Sequence, residues 1–109
     1  NNEDTMSETF RKSIDVDAIK NVIREYAPEI KSQFKAEVIG IFGSYARGEQ
    51  NSGSDVDVLV KFAKGATLLD LVALSDYLEN LLGIPVDVVS EKALHPLMRD
   101  DLLNELVTV

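Results

Sequence analysis

The sequence of 109 residues contains no cysteine and no tryptophan, and it has only 3 prolines and 6 glycines. Without cysteine the chain cannot form disulfide bonds, thiolate metal sites or a cysteine nucleophile. With so little proline and glycine it has no fibrous or low-complexity signature. A hydrophobic content of 45% is ordinary for a globular protein and too high for a disordered one. These features predict one domain in a reducing, intracellular setting, which we take to be the cytoplasm.

Basic residues are also scarce, since 11 Lys and Arg stand against 19 Asp and Glu and give a formal net charge of −8. Affinity for nucleic-acid phosphates comes mainly from clustered Lys and Arg. The acidic balance therefore argues against a long DNA or RNA ligand. The charge is uneven, because residues 65–109 hold eight acids and two bases, which is −6. This acidic half either solubilises the surface or faces a basic protein partner.

Long apolar runs are absent, and none approaches the ~18 residues of a membrane span. The first five residues are polar or acidic, where a signal peptide would be basic and then apolar. We therefore expect a soluble, unexported protein that does not enter a membrane. Residues 1–12 are expected to form a loose N-terminal segment, and residues 13–109 to form the single domain.

Hydrophobic periodicity predicts alternating helices and strands. The first helix is expected from about Asp15 to Phe34, capped by Ser13 or Asp15, with a kink or break near Ala27 because Pro28 lacks a backbone N–H. Strands are predicted at 38–42, 55–62 and 84–89, and helices at 67–82 and 96–106. This order predicts an α/β (α+β) fold, in which helices pack on a small mixed sheet.

Two leucine-rich stripes are expected to face the core. The first lies on the helix that Thr67 caps and Gly83 ends. The second lies on the last helix, and its outer part is an alternative dimer or partner interface. The members of the two stripes are Leu68, Leu71, Val72, Leu74, Leu78, Leu81 and Leu82, and then Leu97, Leu102, Leu103, Leu106, Val107 and Val109.

Gly43-Ser44 follows the predicted strand at 38–42 and opens the stretch that ends at Asp57. A glycine lets another backbone or a ligand come close, and free N–H groups after it can bind an anion. Gly43 and Ser44 are therefore a candidate phosphate-binding turn. The alternative is a tight turn with a capping serine.

Acidic residues lie on two predicted strands that follow one another along the chain. Asp55 and Asp57 are two residues apart on a strand, so their carboxylates project from one face. Asp87 lies among valines of the next strand, where an unpartnered acid is costly. If the strands are adjacent, the three acids can hold Mg²⁺, and two such ions can clamp the oxygens of a nucleotidyl transfer. The alternatives are solvated charges at an exposed edge and, for Asp87, pairing with Lys92 or Arg99.

Gly43-Ser44, Arg47-Gly48, Ser54-Asp55-Val56-Asp57 and a lone Asp87 together resemble the minimal nucleotidyltransferase domain of the DNA polymerase β superfamily, in its antitoxin type. The resemblance covers roughly residues 14–106, and the combined motif is more specific than its parts. It implies that Gly43, Ser44, Arg47 and Ser54 bind the nucleotide. It also implies that Asp55, Asp57 and Asp87 form the catalytic and metal site for two Mg²⁺ ions, with ATP as substrate.

The resemblance further implies a partner, a helical HEPN-type toxin that is silenced when AMP is transferred to one of its tyrosines, in a type VII-like toxin–antitoxin pair. A chain of this length is expected to have no room for an acceptor-binding domain of its own. We therefore expect the acceptor to come from another protein, which agrees with the resemblance. Two alternatives stay open: neutralisation by contact alone, and transfer to a small molecule or tRNA end with a second subunit. The oligomeric state is left open.

Three further residues carry weaker expectations. Arg47 either meets the triphosphate or pairs with Glu49 on the surface. Tyr45 either covers the base of the nucleotide or packs under the first helix. His95, the only histidine, is expected to be a surface or capping group rather than a ligand.

Overall fold

The described part of the chain, residues 14–109 of a computed structural model, consists of helices and short strands in alternation. The expectations for residues 1–12 and for Ser13 as a helix cap lie outside the described residues. A single 3₁₀ turn at Glu91–Ala93 precedes the last helix. The helices are α1 (Val16–Phe34), α2 (Ser44–Arg47), α3 (Leu68–Leu82) and α4 (Pro96–Glu105), and the strands are β1 (Ala36–Phe42), β2 (Val56–Phe62), β3 (Val86–Ser90) and β4 (Val107–Thr108).

The four strands form one mixed sheet in the order β3-β2-β1-β4. Strand β2 pairs antiparallel with β1 and parallel with β3, and β4 pairs antiparallel with β1. The predicted α/β class with a small mixed sheet is therefore confirmed. The residue at position 40 of β1 has to be small, because a Cβ on Gly40 would lie 2.6 Å from the Val107 carbonyl oxygen of β4.

Helix α1 begins after Asp15, whose Oδ1 accepts a hydrogen bond of 2.9 Å from the Ala18 N–H. This N-cap agrees with one of the two predicted caps. The predicted break at Pro28 is wrong, because α1 runs through Pro28 as one element. Pro28 is exposed, so the carbonyl of Arg24 that loses its intrahelical partner can bond to water instead. The apolar stripe of α1 is buried against the sheet and holds the helix together across this position.

The core lies between the sheet and the helices α1 and α3. Its members include the fully buried Val56, Val58 and Val60 of β2, which lie on one face as the alternation predicts. Helix α3 is fixed at its start by the Thr67 N–H, which donates to Asp70 Oδ2 at 2.9 Å. It ends as predicted at Gly83, whose φ of 72° is left-handed.

The two leucine stripes are less buried than predicted. Leu74, Leu78 and Leu82 of the first stripe are buried, but Leu68 and Val72 are exposed. In the second stripe Leu102 is buried, whereas Leu97 is 84% exposed and Leu103 is 45% exposed. Strand β1 is also not buried on both faces, because Val38, Ile39 and Phe42 keep part of their surface in solvent. No helix in residues 14–109 is both long enough and apolar enough to cross a membrane.

Candidate active site

Two parallel strands bring the predicted acids together. Asp57 of β2 is the direct register partner of Asp87 of β3. Register partners on adjacent strands project from the same face and lie about 4.8 Å apart at their Cα atoms. Asp55 immediately precedes β2 and is exposed, as is Asp87, whereas Asp57 is half-buried. The condition set by the sequence, that the third acid lies on a strand beside the first two, is met by this topology.

The electrostatic state of Asp57 reflects these neighbours. Its pKa is raised above the ordinary value, first by burial and then by the negative charges of Asp87, Asp55 and Glu105, while the charge of Arg47 acts in the opposite direction. Burial and like charges both disfavour an ionised carboxylate. A cation at this position would remove part of that cost.

Gly43 connects strand β1 to the acids of β2. Its φ of 76° and ψ of −151° lie in a region that is essentially restricted to glycine. A Cβ at this position would collide with the Oδ2 atom of Asp57. The turn at Gly43 and the carboxylate of Asp57 are thus packed directly against each other. Ser44, the second residue of the predicted phosphate-binding turn, is half-buried and is the first residue of the short helix α2.

Arg47 is held by two glutamates. Its Nε donates to Glu49 Oε1 at 2.7 Å, and its Nη1 donates to Glu105 Oε2 at 3.0 Å. These bonds raise the pKa of Arg47, with Glu49 the larger cause. The other oxygen of Glu105 accepts a hydrogen bond of 3.1 Å from the Gly43 N–H. The expected pairing of Arg47 with Glu49 is present, but the contact with Glu105 was not predicted.

Glu105 is the residue of this region that sequence reasoning missed. It lies 58 residues from Arg47 and 62 from Gly43, so no local pattern connects it to them. One signal was available. An acid in the last turn of a helix is disfavoured by the helix dipole, and Glu105 ends α4. An acid in such a position needs a compensating donor, and Arg47 supplies one.

The remaining candidates occupy local structures of their own. Ser54 lies in a turn in which its Oγ accepts a hydrogen bond of 3.0 Å from the Asn51 N–H, and its N–H donates to the Asn51 carbonyl. Tyr45 is 1% exposed and belongs to the core, so it does not cover a nucleotide. His95 caps α4, since its Nδ1 accepts a hydrogen bond of 3.1 Å from the Leu97 N–H, as expected for a capping group.

The three acids share a face without forming a ready-made metal cage. Within residues 14–109 no three Asp, Glu, His or Cys side chains are arranged so that they could hold a metal ion together. Mg²⁺ does not require such a cage, because it is commonly bound through one or two carboxylates with waters and substrate phosphates. The oxygen donors of Asp55 and Asp57, and the crowding of charge around Asp57, fit that mode of binding.

The mixed sheet, with Asp55 and Asp57 at the start of its inner strand β2 and the Gly43-Ser44 turn against them, has the arrangement of a nucleotidyltransferase-like domain. The family model of the nucleotidyltransferase domain matches residues 23–109, and the chain belongs to this family. It is therefore a nucleotidyltransferase, and its relatives include a protein adenylyltransferase and candidates for that activity.

Two relatives illustrate this grouping. The chain is 38% identical over 94 residues to the protein adenylyltransferase MntA of Thermococcus cleftensis, covering 86% of this chain and 95% of that one. It is 55% identical over 69 residues to MJ0435 of Methanocaldococcus jannaschii, a candidate protein adenylyltransferase, covering 63% of this chain and 74% of that one.

Solved structures give the same fold. A candidate minimal nucleotidyltransferase superposes with a TM-score of 0.74 at 39% identity, covering 89% of this chain and 98% of that one. Two more distant neighbours show the fold alone. One is a toxin–antitoxin with AMP-PNP, with a TM-score of 0.63, 23% identity and coverage of 87% and 72%. The other is a tri-AMPylated HEPN toxin of Shewanella oneidensis in complex with an MNT antitoxin, with a TM-score of 0.54, 21% identity and coverage of 84% and 66%.

Proposed function

We propose that this protein is a Mg²⁺-dependent adenylyltransferase that transfers AMP from ATP to a hydroxyl group of a partner protein. The observation that carries the proposal is the packing of Gly43 against Asp57, with Asp87 beside Asp57 on the neighbouring strand. This arrangement brings a glycine turn suited to phosphates next to carboxylates suited to a divalent cation. Nucleotidyl transfer needs both at one place.

The phosphates of ATP are assigned to the turn that follows β1. Gly43 lets this turn lie directly against Asp57, and Ser44 and Arg47 supply a hydroxyl and a guanidinium for the triphosphate. Ser54 lies at the end of the loop that leads to Asp55. Its Oγ already accepts a hydrogen bond from Asn51, but a hydroxyl can still donate its own proton to the nucleotide.

Two Mg²⁺ ions are assigned to Asp55, Asp57 and Asp87. When bound, the ions would neutralise charge that develops on the phosphate oxygens and offset the repulsion among the three carboxylates. The raised pKa of Asp57 supports this assignment, because it reports a carboxylate whose charge is poorly compensated by the protein alone. The pair Asp55 and Asp57 is sufficient for the incomplete protein shell that Mg²⁺ prefers.

The proposed reaction is an in-line displacement at the α-phosphorus of ATP. The acceptor hydroxyl oxygen forms a bond to this phosphorus, the bond to the bridging oxygen of pyrophosphate breaks, and pyrophosphate leaves. Asp87 is exposed at the edge of the acidic face, where a carboxylate can orient the acceptor hydroxyl and accept its proton. The products are the adenylylated acceptor and pyrophosphate.

The acceptor is proposed to be a tyrosine of a HEPN-type toxin, which would make this protein the antitoxin of a type VII-like pair. The protein adenylyltransferase name of the relative from Thermococcus cleftensis supports a protein acceptor. The AMPylated HEPN toxin found with a neighbour of the same fold supports the choice of toxin. The net charge of −6 in residues 65–109 is suited to a basic partner.

The test is mass spectrometry of a cognate HEPN-type toxin, after incubation with the wild-type protein, ATP and Mg²⁺. We expect one or more added AMP groups on a tyrosine, and none with Asp57→Asn. If Asp57→Asn still neutralises the toxin with no added mass, neutralisation by contact is the correct function. If label reaches only a small molecule or a tRNA end, the acceptor assignment is wrong.

A further inference from the structure

The carboxylate of Glu105 joins two parts of the proposed phosphate-binding turn. Oε1 accepts from the Gly43 N–H at 3.1 Å, and Oε2 accepts from Arg47 Nη1 at 3.0 Å. Glu105 is the last residue of α4, so one side chain connects the end of the fourth helix to the turn after β1. The charge of Glu105 also reaches Asp57, whose pKa it helps to raise.

The guanidinium group of Arg47 is held by two carboxylates, which together set its orientation. Glu49 accepts from Nε while Glu105 accepts from Nη1. A guanidinium group has five N–H donors in a rigid plane. Two carboxylates fix that plane, and Nη2 has no hydrogen-bond partner recorded in residues 14–109. The group is therefore held by its bound N–H groups while donors remain for another oxyanion.

Gly43 needs an anchor of its own. Its backbone lies in a region that only glycine adopts readily, and Gly43 is buried against Asp57. A buried N–H without an acceptor is costly, and Glu105 provides the acceptor. The same carboxylate thus fixes the backbone of the turn and the direction of the Arg47 side chain.

We propose that Glu105 is a positioning residue for the triphosphate, which holds the Gly43 turn in place and presents the remaining N–H groups of Arg47 to the phosphates. This inference rests on the proposed function, since it takes the turn at Gly43 to be the triphosphate site. The opposing possibility is that the carboxylate competes with the phosphates for the same donors. The two possibilities predict opposite signs for the effect of Glu105 on ATP affinity.

Isothermal titration of ATP and of AMP, both with Mg²⁺, separates these possibilities. We expect Glu105→Gln to raise the Kd for ATP roughly five- to twentyfold, on the scale of one charged hydrogen-bonded pair, and to change the Kd for AMP less than about twofold. The matched control is Asp101→Asn, which removes the same charge from an exposed position of α4 and should change neither Kd. Thermal unfolding of each variant checks that the fold is retained.

A double-mutant cycle tests the route through Arg47. If Glu105 acts by orienting Arg47, then Glu105→Gln should add little to the loss caused by Arg47→Gln alone. Tighter binding of ATP by Glu105→Gln would mean that Glu105 competes with the phosphates. An equal loss of affinity for ATP and AMP would mean that Glu105 has only a structural role. An unchanged Kd for ATP would mean that Glu105 has no role in binding. Each of these results overturns the inference and leaves the proposed function standing. Failure of the wild-type protein to bind ATP would overturn both.

Discussion

The carboxylate of Asp57 lies directly against the Cα atom of Gly43, in the space that any other residue at position 43 would need for its Cβ. This contact joins the end of β1 to the acidic face of β2. The glycine turn and the acidic face are therefore in direct contact, and we treat them as one site.

Replacing Gly43 by alanine should damage the site more than the fold. Gly43→Ala forces a Cβ into Asp57 and requires a strained backbone, so we expect a loss of about 1–3 kcal/mol in the free energy of unfolding and at least a tenfold loss of nucleotidyl transfer. Gly65→Ala is the matched control, because Gly65 also has a positive φ of 94° but nothing lies within 4 Å of its added Cβ. Equal activity losses in the two variants would contradict the account.

Neutralising Asp57 should remove activity without harming the fold. Asp57→Asn eliminates a proposed metal ligand while keeping the side-chain volume, and we expect nucleotidyl transfer to fall by at least about a hundredfold. Asp76→Asn, an exposed change on α3 with the same loss of charge, should leave the rate unchanged. Single-turnover rates measured at saturating ATP give the comparison. An active Asp57→Asn variant would rule out the acidic face as the catalytic site.

The pH dependence of stability should carry the signature of Asp57. A carboxyl whose pKa is higher in the folded than in the unfolded protein stabilises the fold when protonated, and this contribution is lost as the pH rises from 3.8 through the raised value. We therefore expect Asp57→Asn to be more stable than the wild type at pH 7, with a difference that shrinks as the pH falls through the raised pKa of Asp57 and disappears below 3.8. Chemical denaturation across this pH range measures it. A wild-type protein that is the more stable at pH 7 in the absence of Mg²⁺ would contradict the assignment.

Two adjacent leucines of α4 should respond very differently to truncation. Leu102 is buried, whereas Leu103 is 45% exposed. Leu102→Ala should cost about 2–4 kcal/mol in the free energy of unfolding, and Leu103→Ala should cost less than about 1 kcal/mol. Urea denaturation of both variants gives the two values. Similar values for the two positions would mean that the orientation of α4 is wrong.

The helices, the strands and several of their ends could be predicted from the sequence, because each depends on residues that are close together in the chain. The alternation of Val56, Val58 and Val60 predicts the buried face of β2, and Gly83 predicts the end of α3. Periodicity also predicts that α4 is a helix, but it does not determine how much of a leucine stripe finds a partner. Leu97 is therefore exposed although its spacing matches that of core positions. The missing N–H of Pro28 predicts a break in α1, but the helix continues through it because its apolar side is packed in the core.

The candidate site also combines residues that are close in the sequence with residues that only the fold brings together. The motif from Gly43 to Asp57 is contiguous, so its residue types and spacing indicate the chemistry directly. The approach of Asp87 depends on β3 lying beside β2, which the order of elements suggests and the parallel register fulfils. Glu105 could not be predicted, because its contacts with Gly43 and Arg47 join residues about sixty positions apart.

The proposed function requires that AMP, and not phosphate, passes from ATP to the partner protein. Parallel reactions with ATP labelled at the α- or the γ-phosphate distinguish these outcomes, using the wild-type protein, Mg²⁺ and a cognate HEPN-type toxin as acceptor. We expect the acceptor to gain label from α-labelled ATP alone, and chelation of Mg²⁺ or Asp57→Asn to abolish this transfer. Label from γ-labelled ATP, or an unlabelled acceptor that is nevertheless neutralised, would contradict it.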